Sequence, residues 1–210
     1  MRGTGTKMNK IKRNRHRAAI YRHLSESYYP PGGEIREKMR NIIDDLCEVY
    51  PDLVRHIPNG DECITDLQRD FSRLFVGPVR PLAPPYGSVY LEAPGRVMGD
   101  STLEVMGLCR EAGLAIDDVL IPDHIAFELE FADYLVLGEN SCLENGDKDG
   151  ILLYEKVFSD FITTHFAKWV HEFAKRVAEQ ADTVFYRDMA EFTDFFIHEE
   201  ASDLRKSPEQ

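Results

Sequence analysis

Apolar residues return every three to four positions through most of this 210-residue chain, the spacing of a buried stripe on an α-helix. The first such stretch predicts a helix over 9–28 carrying Ile11, Ala18, Ala19 and Leu24, and Tyr29-Pro30-Pro31-Gly32-Gly33 stops it. Ile35, Met39, Ile42, Ile43, Leu46 and Val49 predict a second helix that ends before Pro51. Ile64, Leu67, Phe71, Leu74 and Phe75 mark a third, ended by Gly77-Pro78. Further helices are expected over 100–113 (closed by Gly113), 122–138 (closed by Gly138), 151–179 and 183–200, with ENSCLENGDKDG at 139–150 as a polar turn. In the 122–138 helix, Pro122 suits the first helical position and Asp123 the first turn, where the helix dipole favours a carboxylate.

Residues 77–96 break the pattern with five prolines and three glycines. Proline removes an amide donor and clashes with the preceding turn, so no regular helix can run through them. They also carry Leu82, Tyr86, Val89, Tyr90 and Leu91, too apolar for a solvated linker. An ordered loop packed across the domain is expected, with room for one short helical turn. No stretch alternates with a β period and no repeat is visible. The fold class is therefore all-α: a single-domain irregular helical bundle with a proline-rich ordered loop. Its expected extent is 9–200, between a flexible basic tail at 1–8 and a frayed tail at 201–210.

Composition narrows the setting. Hydrophobic content of 43% with 30% charge suits a globular chain. No apolar run reaches the ~18–20 residues that cross a bilayer, and the N-terminus lacks the apolar core of a secretory signal. A cytoplasmic protein without stable membrane insertion is expected. Cys47, Cys63, Cys109 and Cys142 form no close pair, so reduced thiols buried as small apolar side chains are favoured over a metal site. Charge is uneven: residues 1–17 hold seven basic side chains and no acid, so a net charge of −12 leaves residues 18–210 at −19. Such a body repels nucleic acid and attracts cationic partners, solubility alone being the plainer account. The basic stretch is too short an arm to argue for nucleic acid.

LIPDHIAFELEF, residues 120–131, is the candidate chemistry. Asp123 and His124 are neighbours, and adjacent helical residues diverge, so they lack the base-and-orienter geometry of a triad. Glu128 stands four residues after His124, the spacing of a surface ion pair worth about 0.3 kcal/mol. No nucleophile elbow, zinc-protease motif or phosphate loop occurs. His165 and Trp169 share a helical stripe with Phe158, Phe161 and Ile162, which reads as core packing, while His16, His171 and His198 read as solvated positions. Three readings stay open: a capped helix start with a satisfied histidine, an acid–base site, or a peptide groove. A groove would draw anchors from Phe71, Phe75, Tyr86, Tyr90 and Phe127, and charges for a basic guest from Asp70, Asp123, Glu128 and Glu130.

Four blocks together carry a resemblance. RHRAAIYRHLSESYYPP, DFSRLFVGPVRPLAPPYGSVYLE, IPDHIAFELEFADYL and FITTHFAKWVHEFAKRVAEQADTVFYRDMAEFTDFF are similar, in order and spacing, to the TorD/DmsD family of redox-enzyme maturation chaperones, related to the NarJ type. The chain departs from that pattern with Gly-Pro-Val for the usual Gly-Pro-Gly, and with Tyr86-Gly87-Ser88 where an aromatic-Glu-Ser is usual, which removes one carboxylate. The resemblance implies an all-α, cytoplasmic and non-catalytic protein; no cofactor and no metal are expected, and the chain is expected as a monomer or homodimer. Its implied partner is the precursor of a molybdopterin-containing oxidoreductase, held by its twin-arginine signal peptide until the cofactor is loaded. The implied peptide-binding residues are Asp123 and His124, with Phe71, Leu74, Phe75, Tyr86, Ser88 and Tyr90 matching the neighbouring loop and helix end, and Phe127 and Glu128 beside them. Asp123 would pair with an arginine, which a carboxylate can grip in bidentate fashion, or would instead cap its helix and organise the loop. Alternatives are recognition of a membrane-anchored reductase through its mature part, as for NarJ-type relatives, or a small helical hydrolase using His124 with Glu128 or Asp123. No phosphate cradle for a guanine nucleotide is visible.

Overall fold

The computed structural model describes residues 3–58, 61–92, 98–116 and 121–206, with side chains from residue 7 onward. Its helices are α1 (Gly3–Ser27), α2 (Ile35–Val49), α3 (Ile64–Phe71), α4 (Ser88–Leu91), α5 (Asp100–Glu111), α6 (Ile125–Asn145), α7 (Lys148–Asp160), α8 (Ala167–Gln180) and α9 (Val184–Lys206). A 3₁₀ segment, Pro51–His56, follows α2. Among the described residues no β-strand forms, and the fold is all-α as expected. Helix α1 lies between α6 and α2, α6 packs on α7, and α8 pairs with α9. Tyr21, Phe131, Phe161, Phe166, Trp169, Phe173, Tyr186, Phe192 and Phe196 fill the single core these layers enclose.

Several expected boundaries move for physical reasons. Gly138 does not end a helix: α6 runs on to Asn145 and closes at Gly146, which adopts the left-handed φ of 74°. At Gly138 the Tyr154 ring of α7 comes so close that a β-carbon would overlap it. The expected polar turn at 139–150 therefore shrinks to Gly146-Asp147, where the Asp147 side chain accepts from the Gly150 amide at 3.0 Å and starts α7. Pro122 and Asp123 precede their helix instead of opening it, since the cap residue is His124.

Two helices that periodicity predicts as regular carry π turns. Ser72–Val76 follows α3, and Phe161–Phe166 joins α7 to α8. A π turn inserts one extra residue per turn. In the second case Phe161, Ile162, His165, Phe166, Trp169 and Val170 all end up buried, more than one straight α stripe can hold. The cysteines are all free, but only Cys109 is buried: Cys47 and Cys63 are exposed and Cys142 is intermediate. His171 and His198 are exposed as expected, whereas His16 is half-buried against Asp45 at 2.7 Å.

Candidate functional site

The proline-rich segment is an ordered loop with one short helix, α4, as its composition requires; residues 93–97 of the expected 77–96 span lie outside the described residues. It begins at Gly77, whose φ of 64° suits glycine and whose β-position is closed by the Arg80 carbonyl. The Leu82 and Ala83 amides then donate to the Arg73 and Leu74 carbonyls at 3.3 and 2.8 Å, folding the loop back on the first π turn.

The other end of the loop is clasped by the helix start that carried the sequence signal. Tyr86 and His124 form an isolated antiparallel bridge. The Gly87 amide donates to the Asp123 carbonyl at 2.8 Å, and the Ile125 amide to the Pro85 carbonyl at 2.9 Å. Asp123 is wholly buried, and its Oδ2 accepts from the Ser88 amide at 2.8 Å. It thus satisfies the first amide of α4 rather than capping its own helix. That task falls to His124, whose Nδ1 accepts from the Ala126 amide at 3.1 Å, which leaves the ring proton on Nε2. Burial pushes the His124 pKa down to about 4 even though the Asp123 charge pulls the other way.

Directly beneath the clasp sits a second buried carboxylate. Glu128 is fully buried, with Oε1 2.7 Å from His165 Nε2 and Oε2 accepting from Trp169 Nε1 at 3.1 Å. Burial raises the Glu128 pKa, and the neighbouring His165 ring restrains the rise. Burial alone would lower His165, but the Glu128 carboxylate outweighs it and holds the ring above its ordinary value. Gly87 is the lid of this group: a β-carbon on it would lie 3.1 Å from Trp169 Nε1 and 3.3 Å from Glu128 Oε1. The loop's departure from aromatic-Glu-Ser at this position lets the backbone rest on a carboxylate supplied from below.

The structure gathers the sequence-predicted residues into two joined groups. Asp123, His124, Tyr86, Ser88 and Glu128 make the clasp. Phe71, Leu74 and Phe75 form an aromatic floor, with Phe71 and Phe75 ring centroids 5.3 Å apart. Tyr90 bridges the two: it stacks on Trp169 at 5.7 Å, meets Phe173 edge-on at 6.0 Å, and donates its hydroxyl to the Pro84 carbonyl at 2.9 Å. Phe71, Leu74, Phe75 and Phe127 belong to the buried core, whereas Tyr86 and Tyr90 stay half-buried. Val76, Val79 and Leu82 present apolar side chains to solvent along the same loop.

Of the four carboxylates expected to face a basic guest, three are buried, and Asp123 Oδ1 has no hydrogen-bond partner among the described residues. Asp70 accepts from the Thr183 amide and hydroxyl at 2.8 and 2.7 Å and from Arg73 at 2.9 Å. Asp123 and Glu128 are held as described, and Glu130 alone is exposed, receiving the Tyr29 hydroxyl at 3.0 Å. The expected surface pair of His124 with Glu128 does not form, because Glu128 faces α8. A hydrolase built on that pair thus lacks its geometry. Sequence reasoning missed the polar role of His165 and Trp169, whose four-residue spacing was visible but whose partner lies on another helix.

Comparison with known proteins makes this an all-helical protein of the TorD/DmsD kind. A family model described as the nitrate reductase delta subunit matches residues 35–175, well over half of the chain, and the chain belongs to that family. A TorD chaperone protein of Vibrio cholerae is 26% identical over 183 residues, covering 79% of this chain and 81% of that protein. A candidate Tat proofreading chaperone, DmsD, of Haemophilus influenzae is 25% identical over 130 residues, 61% of this chain and 57% of its own. A crystal structure of a candidate redox enzyme maturation protein from Archaeoglobus fulgidus shares the fold, with a TM-score of 0.55, 23% identity, and coverage of 86% of this chain and 93% of that one.

Proposed function

We propose that this protein is a cytoplasmic maturation chaperone. It binds the precursor of a molybdopterin-containing oxidoreductase at its twin-arginine signal peptide while the cofactor is loaded. The observation that carries this reading is the clasp. The Pro-Asp-His helix start fixes a proline loop in one conformation, leaving Tyr86, Val89 and Leu82 along a rigid partly apolar edge. A pre-ordered edge binds an extended apolar segment without a further ordering cost. In this arrangement Asp123 is a positioning residue that sets the loop for the guest.

Two substitutions separate that role from direct reading of an arginine. Asp123→Asn keeps an oxygen for the Ser88 amide, whereas Asp123→Ala removes it. Calorimetric titration against twin-arginine signal peptides should show Asn within about threefold of wild type and Ala weakened by about tenfold or more, roughly 1.4 kcal/mol. Equal loss in both variants would show that the charge itself contacts the guest.

A second reading is favoured by the burial of Asp70, Asp123 and Glu128, which leaves few free carboxylates for an arginine pair. On this reading the chaperone grips the mature part of its client, in the NarJ manner. Absence of binding to every signal peptide, with capture of the leaderless catalytic subunit, would select it.

A further inference from the structure

A cleft on the face formed by α2, the 3₁₀ segment and the start of α9 stands apart from the clasp. Its volume is about 500 Å³, within the usual range for binding pockets. Met39 and Phe185 (both buried) and Ile57 give it an apolar floor, and Arg36, Arg40 and Arg55 stand around it. Three arginines on one cleft are conspicuous in a chain of net charge −12. Among the described residues Arg40 and Arg55 have no carboxylate within ion-pair distance; Arg55 instead donates to His56 Nε2 at 3.0 Å.

The chain itself shows what the cleft accepts. Asp61, fully exposed, lies 3.5 Å from Arg36. Its neighbour Glu62 places a carboxylate oxygen on the Val184 and Phe185 amides, filling the N-terminus of α9. One edge of the cleft is thus already lined by the Asp61 carboxylate, with Glu62 next to it on the start of α9. With that helix end filled, the cleft offers guanidinium groups spread over two elements and not one compact cradle of amides. That spread suits carboxylates distributed along a peptide better than a single phosphate.

We infer that this cleft docks an acidic segment of a partner protein, its carboxylates on Arg40 and Arg55 and an apolar side chain on the floor. The inference stands independently of the twin-arginine reading, because a cationic peptide would be repelled here. The test uses the full chain and a fluorescein-labelled synthetic peptide alternating glutamate with leucine, followed by anisotropy at low and high salt. Wild type binds, and salt weakens the complex. Arg40→Glu with Arg55→Glu weakens it by about tenfold or more, while Lys168→Glu on the exposed face of α8 changes it less than about twofold. Asp61→Asn removes the competing carboxylate beside Arg36, which keeps its hydrogen bond to the Glu62 carbonyl, and tightens binding. Thermal melts of each variant establish that the fold persists. Loss of the same size in the Lys168 variant would mean attraction to bulk charge and overturn the assignment. So would absence of peptide binding, or binding of inorganic pyrophosphate at these arginines in place of the peptide. Signal-peptide binding unchanged in the double arginine variant separates this site from the clasp.

Discussion

At the scale of single residues, the most informative atom pair is the one that a linear sequence hides. Asp123 reads as a helix cap, yet it serves an amide 35 positions away at Ser88. Glu128 reads as a partner for His124, yet it meets His165, 37 positions on. A carboxylate spent in the core has the same letter as one on the surface, and its partner is set by packing. That is why the sequence singles out these residues and not the partners they bind in the folded chain. His124 gives this wiring a pH signature. Its pKa in the folded protein is about 4, below the ordinary 6.5, so the unfolded chain binds more protons between those values. Its contribution to stability is full above pH 6.5 and is lost as the pH falls toward 4. Asparagine also caps helices well but does not titrate. In urea unfolding at a series of pH values, His124→Asn should have a flatter stability profile than wild type between pH 6.5 and 4.

At the scale of elements, glycine and proline punctuation was mostly sound. The stops after Ser27, Val49 and Glu111 fall within a residue or two of their predicted places, because Pro and left-handed Gly end helices through backbone sterics alone. Gly138 deceived because a glycine also appears where two helices touch. The α6–α7 pair depends on that contact. Gly138→Ala introduces a methyl into the Tyr154 ring, an overpacking cost of about 1–3 kcal/mol, which outweighs the gain of up to ~1 kcal/mol in helix propensity. Its melting temperature should fall, and Tyr154→Ala in the same chain should absorb most of the Gly138→Ala effect, a non-additivity that a double-mutant cycle reads directly. The π turns were illegible for a related reason. They arise where more large side chains must reach the core than a 3.6-residue repeat delivers, a demand set by neighbouring helices.

Across the whole molecule, the opposition of a basic N-terminal stretch and an acidic body resolves internally. Lys10 pairs with Glu139 at 2.6 Å and with Glu155, Arg13 with Asp203 at 2.8 Å, and Arg15 with Glu144 at 2.9 Å; Arg2 lies outside the described residues. Most deeply, Arg17 grips Glu200, which also receives the Tyr21 and Tyr50 hydroxyls at 3.1 and 2.7 Å. Burial alone would raise Glu200, but the guanidinium and these donors hold its pKa below the ordinary carboxylate value. The charge asymmetry was legible, and its purpose was not, because α1 finds its partners only in the assembled bundle. Removing one member of a buried pair strands the other: Arg17→Met should destabilise by roughly 3–5 kcal/mol in chemical denaturation. Adding Glu200→Leu should recover a large part of that loss.

The Arg17–Glu200 pair spans 183 positions, and this has a consequence for how the protein is born. At ribosomal speeds of about 5–20 residues per second, roughly 10–40 s separate the synthesis of the two partners. Through that interval the nascent α1 carries an unmatched arginine and a bare apolar face. That buried pair, and with it the contact between α1 and the end of α9, closes only once Glu200 has been synthesised and has left the ribosome.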